Sequence, residues 1–364
     1  MPNFTGTLNA NEIFAGLFNM IISQEVFADN VAEHYSDLVD AAKVDGGLYG
    51  DTKLYYSTDV LKSAPWGNDA EATKLLQLYR PEDPKCQAIE LDTFRQISLT
   101  VDNYLTKRAW MAEGAFASFN SVMLSWIQET KRIYEVTTYN AFVGTKQSNV
   151  GKQTITLTIP NKETTGLDTE AQARYEAQSI AREIANLITR LKDITRDYND
   201  YGFLRSYAID SLMFVVSADV YNEILKIDLP TIFHKDGLIE KLGEHVLPSR
   251  YFGDVNSDQK VGDGTTIRSL IEQDVKKSGS PDVHVFAGDL IPTGYTATAG
   301  TSYTENPKIL FKVIHRRSIP FMSAFEAGTS FFNPKSLTEN HYLTWGHNTL
   351  EYLKQYPMIT VKKA

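Results

Sequence analysis

The chain has 364 residues, of which 42% are hydrophobic and 22% are charged. This composition excludes a disordered polypeptide, a collagen-like fibre and a small disulfide-stapled domain. Acidic residues outnumber Lys and Arg by 45 to 36, so the formal net charge is −9. That balance argues against a general DNA-coating protein, because nonspecific binding depends on basic residues at the phosphates. The single cysteine, Cys86, excludes internal disulfides and cysteine-based metal cages.

The N-terminal region, residues 1–45, carries apolar residues at helical spacing and predicts an amphipathic arm. Its first basic residue is Lys43, so neither a secretory signal nor a basic membrane-binding face is present. No apolar run in the chain approaches the ~20 residues that cross a bilayer. We therefore expect no membrane partner, and we expect the arm to dock on the body or on a neighbouring subunit.

Residues 46–102 predict a long, open β excursion. The segment Lys53–Val60 is rich in β-forming residues, and a second strand is indicated where Ile97, Leu99 and Val101 alternate with polar residues. A polar hairpin of about 50 residues cannot bury much of itself. We expect it to lie against another surface, with Trp66 and Tyr55 or Tyr56 burying more area between chains than within one.

Two long helices follow. Apolar residues at three- and four-residue steps predict the first over residues 103–143, with Gly144 as its stop signal. The second keeps one face apolar from Ala173 to Ile194, and Thr169 with Gln172 suggests a capping box at its start.

The C-terminal half predicts a mixed α/β domain. The segment Leu212–Val216 is typical of a short buried strand, and it continues into a helix that ends at Leu225. Residues 253–307 are rich in Gly, Thr, Ser, Asp and Pro and predict loops. Further strands are expected at Ile309–Ile314 and within residues 341–361.

Motifs for catalysis are missing from the sequence. It contains neither His-Glu-x-x-His nor Gly-x-Ser-x-Gly. The segment Gly151–Gln153 resembles a phosphate loop only superficially, because Gln153 replaces the Ser or Thr that would hold magnesium. We therefore expect a protein that is not an enzyme and has no organic cofactor.

One local pattern suggests a metal. Asp254, Asn256 and Asp258 stand on alternate residues, followed by Asp263, as at the start of a calcium-binding loop. The match is partial, because Gln259 and Thr265 replace the turn glycine and the bidentate acid. The alternative is a solvated turn at a domain edge. Asp254, Asn256 and Asp258 are the candidate calcium ligands.

The order of elements resembles that of the major capsid proteins of tailed bacteriophages, which have the Hong Kong 97-type fold, and most closely those of small short-tailed phages. The resemblance is carried by segments that look like the extended-loop exit, the spine helix, the start of the axial domain and the closing strand. These segments are Phe94–Leu99 with Asp102–Trp110, Phe116–Met123, Leu212–Leu225 and Gly328–Lys362.

The resemblance implies an α+β fold of five parts. These are an N-terminal arm (1–45), an extended β loop (46–102), a peripheral domain with a long spine helix (103–199), an axial domain (200–327) with a loop-rich insertion at 253–284, and a returning strand of the peripheral domain (328–364).

The implied function is that of a structural major capsid protein. Pentamers and hexamers would close into an icosahedral shell around double-stranded DNA, without sequence-specific binding. The implied partners are other copies of the chain, portal and scaffolding proteins and a decoration protein. Assembly would occur in the bacterial cytoplasm, and the final location would be the virion. Two alternatives stay open: an encapsulin-like nanocompartment shell protein, and a soluble hydrolase that uses two carboxylates.

Overall fold

The computed structural model describes residues 37–46, 51–63, 78, 80–102, 113–225 and 244–364. Most of the predicted N-terminal arm lies outside the described residues, as does Trp66. Within the described part, no helix has the length and apolarity needed to span a membrane.

The first half of the chain contains several strands and the two longest helices among the described residues. In chain order the elements are α1 (Asp37–Ala42), β1 (Lys43–Asp45), β2 (Thr52–Ser57), β3 (Lys85–Glu90), β4 (Thr93–Asp102), α2 (Glu113–Thr145), β5 (Thr154–Leu157), α3 (Lys162–Thr165) and α4 (Thr169–Lys192).

The second half is dominated by strands. Its elements are β6 (Leu212–Ser217), α5 (Ala218–Leu225), β7 (His245–Leu247), β8 (Gly253–Asn256), β9 (Lys260–Val261), β10 (Ile267–Ser269), β11 (Gln273–Val275), β12 (Val283–Val285), β13 (Thr296–Ala297), β14 (Ser302–Glu305), β15 (Ile309–His315), β16 (Phe321–Asn333), β17 (Thr338–His347) and β18 (Met358–Lys363).

The chain divides into two compact units. Of the described residues, 95–102, 113–133 and 326–344 belong to the smaller unit, and the others belong to the larger unit. Strands β1, β16, β17 and β4 form one sheet in that order.

The core of the larger unit is a five-stranded sheet in the order β5-β18-β15-β6-β7. Strand β6 is buried on both faces, which explains its unbroken apolar sequence. Its side chains alternate between two clusters, one with α4 and one with the end of α2. Leu212, Phe214 and Val216 pack in the first, and Met213 and Val215 in the second. The predicted strand at Leu212–Val216 is therefore confirmed.

Helix α4 is amphipathic as predicted, with Ile180, Ile184 and Leu187 buried. The predicted capping box is wrong. Asp168 caps the helix instead, and its carboxylate accepts the backbone N–H of Ala171 at 2.7 Å. An aspartate in extended conformation is a strong N-cap.

Gly144 does not stop the long helix, which runs one residue further to Thr145. The absence of a side chain at Gly144 allows close packing instead. A Cβ at Gly144 would lie 2.1 Å from the carbonyl oxygen of Tyr251. The helix therefore needs glycine where a neighbouring backbone segment passes against it.

The segment predicted as loops, residues 253–307, forms a β module. Strands β10, β14 and β8 make a three-stranded sheet, and β11-β12 and β13-β9 make two-stranded ones. The module has its own small core, formed by Val275, Val285, Ile291 and Ala297. Its strands have only two to four residues each, too few to give a visible period in the sequence.

In the smaller unit, β4 alternates as predicted, with Ile97 and Leu99 less exposed than Ser98 and Thr100. Side-chain hydrogen bonds link β4 to β17. Gln96 donates to the hydroxyl of Thr344 at 3.0 Å, and Thr100 donates to the side chain of Asn340 at 2.7 Å.

Candidate assembly surfaces

The β2–β3 hairpin turns one face into the larger unit and the other to solvent. Tyr55 and Ile89 lie on the inner face and pack with Met322 and Leu353. On the other face, Leu54 is 52% exposed and Tyr56 is 62% exposed. The Tyr55 ring, which was predicted to be buried mainly between chains, is thus partly buried within its own chain. The Tyr56 ring is exposed and can contact another chain.

Register defines this outward face. Leu54 pairs with Ala88 and Tyr56 pairs with Cys86 across the two strands. We call these four residues the outer hairpin face. A hydrogen bond with the Cys86 thiol raises the pKa of the Tyr56 phenol. Four apolar or weakly polar side chains therefore share one solvent-facing surface, which is typical of an interaction site.

Two anchors hold the hairpin in place. The Gln87 amide group donates to the carbonyl oxygen of Tyr352 and accepts from the backbone N–H of Lys354, both at 3.0 Å. After β2, the carboxylate of Asp59 accepts the N–H of Leu204 at 2.9 Å and pairs with Arg196. The Leu204 N–H and then the Arg196 guanidinium lower the pKa of Asp59 to about 2. The outer hairpin face is thus presented on a fixed support.

The smaller unit has its own exposed apolar group where β16 turns into β17. Phe331 is 63% exposed, and Phe332 and Leu337 are also exposed. Leu337 has a φ of 56°, in the left-handed region that a leucine rarely adopts. Such a conformation costs about 1–3 kcal/mol and persists where the surroundings enforce it. We call these three residues the hairpin-tip group.

The sequence does contain a signal for the hairpin-tip group, which was not among the predictions. Adjacent residues of a strand point to opposite faces. Phe331 and Phe332 are neighbours in β16, so they cannot both enter one core. The exposure of Leu54 was missed for a different reason, because alternation predicts two faces without indicating which one is covered.

A buried lysine lies in the central sheet. Lys312 on β15 is fully buried, and its Nζ donates to the carbonyl oxygen of Lys146 at 2.7 Å. Burial lowers the pKa of this ammonium group to about 7, against a smaller opposing effect of Asp254. Lys312 thus contacts the backbone just after α2, at the cost of desolvating a charge.

The predicted calcium ligands lie on β8 and in the turn after it. Asp254 accepts hydrogen bonds from the amides of Gln147 at 2.7 Å and Asn306 at 2.6 Å, one on each carboxylate oxygen. Asn256 donates to the Ser302 hydroxyl at 3.3 Å and accepts from the Thr304 hydroxyl at 3.1 Å. Asp258 follows β8 in the turn to β9.

Asp263 organises a turn. One of its carboxylate oxygens accepts the backbone N–H groups of Thr265, Thr266 and Ile267. The hydrogen bond from the Thr266 hydroxyl, and then these backbone bonds, lower the pKa of Asp263 well below its usual range. Among the residues that the structure describes, no group of three or more His, Cys, Asp or Glu side chains is arranged to hold a metal ion.

Calcium binding by Asp254, Asn256 and Asp258 stays a prediction. Binding requires that the carboxylate oxygens of Asp254, which accept hydrogen bonds from two side-chain amides, turn toward the cation. Isothermal titration of the full chain with calcium tests it. The hypothesis expects a heat of binding that Asp258→Asn abolishes and Asp282→Asn retains. No heat at millimolar calcium would reject it.

Comparison with known proteins gives the context for these surfaces. The family model described as Phi29-like phage major capsid protein matches residues 4–360. A search of curated protein sequences found no match.

Many solved structures share the fold. The capsid of Staphylococcus phage Andhra aligns over 100% of this chain and 88% of its own, with a TM-score of 0.60 and 12% identity. A chain from the structure of the head fiber and inner core protein gp22 of native bacteriophage P68 aligns over 93% and 87%, with a TM-score of 0.58 and 13% identity.

These matches confirm the mixed helix-and-strand fold of Hong Kong 97 type that the element order predicted. The family consists of structural proteins of the virion, and its model covers nearly the whole length of the sequence. The chain therefore belongs to the Phi29-like phage major capsid proteins.

Proposed function

We propose that this capsid protein assembles as pentamers and hexamers into an icosahedral shell, and that the outer hairpin face is a contact between copies. The observation that carries the proposal is the exposure of Leu54 and Tyr56 on a firmly anchored hairpin. Complete burial of a fully exposed apolar side chain contributes roughly 1.5–3 kcal/mol, so covering these half-exposed side chains contributes about half of that each. A closed shell repeats that gain at every copy.

The proposed content of the shell is double-stranded DNA, held without sequence-specific contacts. The net charge of −9 supports this proposal. A wall that retains DNA by enclosure needs few phosphate contacts, and excess negative charge limits adhesion of the genome to the wall.

Further proposed partners follow from the same function. A closed shell with a genome inside needs an opening for DNA entry and a means of setting its size, so we propose portal and scaffolding proteins. A decoration protein is a further candidate partner for the finished particle, which would form in the bacterial cytoplasm.

The two other functions considered for the sequence are not favoured. Membership of a capsid family argues against a soluble hydrolase. A nanocompartment shell would hold cargo protein in place of a genome. The ratio of absorbance at 260 and 280 nm of purified particles distinguishes these contents, and a protein-like ratio in particles from infected cells would contradict the DNA-filled shell.

A charge placed on the outer hairpin face should block assembly. We expect the double variant Leu54→Glu with Tyr56→Glu to fold but to lower the yield of closed particles by at least about tenfold, because each interface would bury unpaired carboxylates. Negative-stain electron microscopy and sedimentation velocity measure the particles, and circular dichroism measures folding.

The matched control keeps the positions and their apolar area. Leu54→Met with Tyr56→Phe should assemble like the wild type. Closed particles at wild-type yield from the glutamate variant would show that this face is not a contact between copies.

A further inference from the structure

His284 lies between two carboxylates on the β module. Its Nδ1 is 2.8 Å from an oxygen of Asp274, and its Nε2 is 3.0 Å from an oxygen of Glu272. Asp274 on β11 is the direct cross-strand partner of His284 on β12. Glu272 precedes Asp274 by two residues and so reaches the same face.

A doubly protonated ring satisfies this geometry in full. A neutral imidazole has one N–H, so one of its two nitrogens would turn a lone pair toward a carboxylate oxygen. An imidazolium donates to both carboxylates at once. The titratable groups that face the ring are Asp274 on β11 and Glu272 just before it, and the third neighbour is the uncharged ring of Phe286, edge-on at 5.2 Å.

Besides the cluster, hydrogen bonds to neighbouring segments hold the hairpin. The Gln273 amide donates to the carbonyl oxygen of Thr301 at 3.1 Å, and Lys276 exchanges backbone hydrogen bonds with Thr296. Strands β11 and β12 have three residues each, and a hairpin of two short strands is marginal alone. Its inward face contributes Val275 and Val285 to the small core of the module. The outward face is closed by the side chains of Glu272, His284 and Asp274.

We propose that Glu272, His284 and Asp274 form a proton-dependent latch, which holds the β11–β12 hairpin closed while the imidazole is protonated and loosens it when the ring becomes neutral. The latch is a property of the β module and does not depend on the proposed shell contacts. Loosening would change the mobility of residues 272–285 without unfolding the five-stranded sheet.

The direction of the pH dependence follows from the charges. The hydrogen bond with Asp274 is the largest influence on His284 and raises its pKa above the ordinary value of 6.5. Burial, the second influence, lowers the pKa, and the charge and hydrogen bond of Glu272 raise it. A base with a raised pKa stabilises the folded state fully below the unfolded value. That stabilisation is lost as the pH rises through the folded pKa.

Hydrogen exchange measured by mass spectrometry on the full chain tests the latch. After correction for intrinsic exchange rates, we expect protection of residues 272–285 to fall at least about threefold between about pH 6 and about pH 9 in the wild type. His284→Gln should lack this protection at both pH values. His284→Lys, which keeps a positive charge throughout, should retain protection at both.

A matched control is His341, whose Nε2 is 3.9 Å from a single carboxylate, that of Glu339. His341→Gln should leave the exchange of residues 272–285 unchanged. Wild-type protection that does not change with pH, or His284→Gln protection equal to that of the wild type, would overturn the proposal.

Discussion

Replacing Lys312 by Met should raise the free energy of unfolding at pH 7 by about 2 kcal/mol. The ammonium group is fully buried, with a pKa lowered to about 7, and every unit of depression costs about 1.4 kcal/mol wherever the group remains charged. Met fills a similar volume without a charge. The gain is partly offset because the carbonyl oxygen of Lys146 loses its donor at 2.7 Å.

The gain in stability from Lys312→Met should become smaller as the pH rises. Between about 7 and the ordinary value of 10.5, the unfolded chain binds more protons than the folded chain at this position. Wild-type stability therefore rises with pH across that window. The advantage of the Met variant shrinks accordingly, and it is largest below pH 7.

Chemical denaturation of both proteins at several pH values from 6 to about 10 measures this effect. The exposed Lys308 provides the control, since Lys308→Met should change stability by less than about 0.5 kcal/mol. A constant difference between wild type and Lys312→Met at all pH values would mean that burial does not depress the pKa of Lys312.

Gly144→Ala should destabilise the protein by about 3 kcal/mol, although the same substitution inside a helix usually stabilises by up to about 1 kcal/mol. The reversal comes from the backbone of Tyr251. An added Cβ would lie 2.1 Å from its carbonyl oxygen and 2.7 Å from its carbonyl carbon. Backbone atoms cannot rotate away, so either α2 or the segment at Tyr251 has to move.

Gly151→Ala is the matched control, because a Cβ at Gly151 meets nothing within 4 Å. Thermal and denaturant unfolding of the two variants measure the difference. If Gly144→Ala proves neutral, α2 and the Tyr251 segment are less tightly packed than the structure indicates.

The elements whose apolar pattern extends over many residues could be predicted from the sequence. Strand β6 follows from an unbroken apolar run, and α4 follows from an apolar face sustained over several turns. Both depend on local patterns that tertiary contacts reinforce. The resemblance to the Hong Kong 97-type fold rests on the order of such elements.

What escaped prediction depends on contacts between distant residues. A lysine in an apolar strand gives no sign that its Nζ will lie 2.7 Å from Lys146. Gly144 resembles a stop signal until Tyr251 is placed beside it. The strands of the β module are too short for an alternation of apolar and polar residues to be recognised.

The candidate assembly surface shows the same limit. Alternation in β2 indicates two faces, but only the packing of Tyr55 against Met322 and Leu353 decides which face remains outside. Asp168 rather than Thr169 caps α4 because the backbone there is extended, which the sequence motif alone does not determine.

The position of Cys86 gives the protein a built-in reporter. The one thiol in the chain is exposed and stands opposite Tyr56 on the outer hairpin face. A single maleimide dye would therefore label every copy at one chemically defined point, with no cysteine to remove and none to introduce. Fluorescence from that point would follow shell closure in real time, at the surface proposed to join one copy to the next.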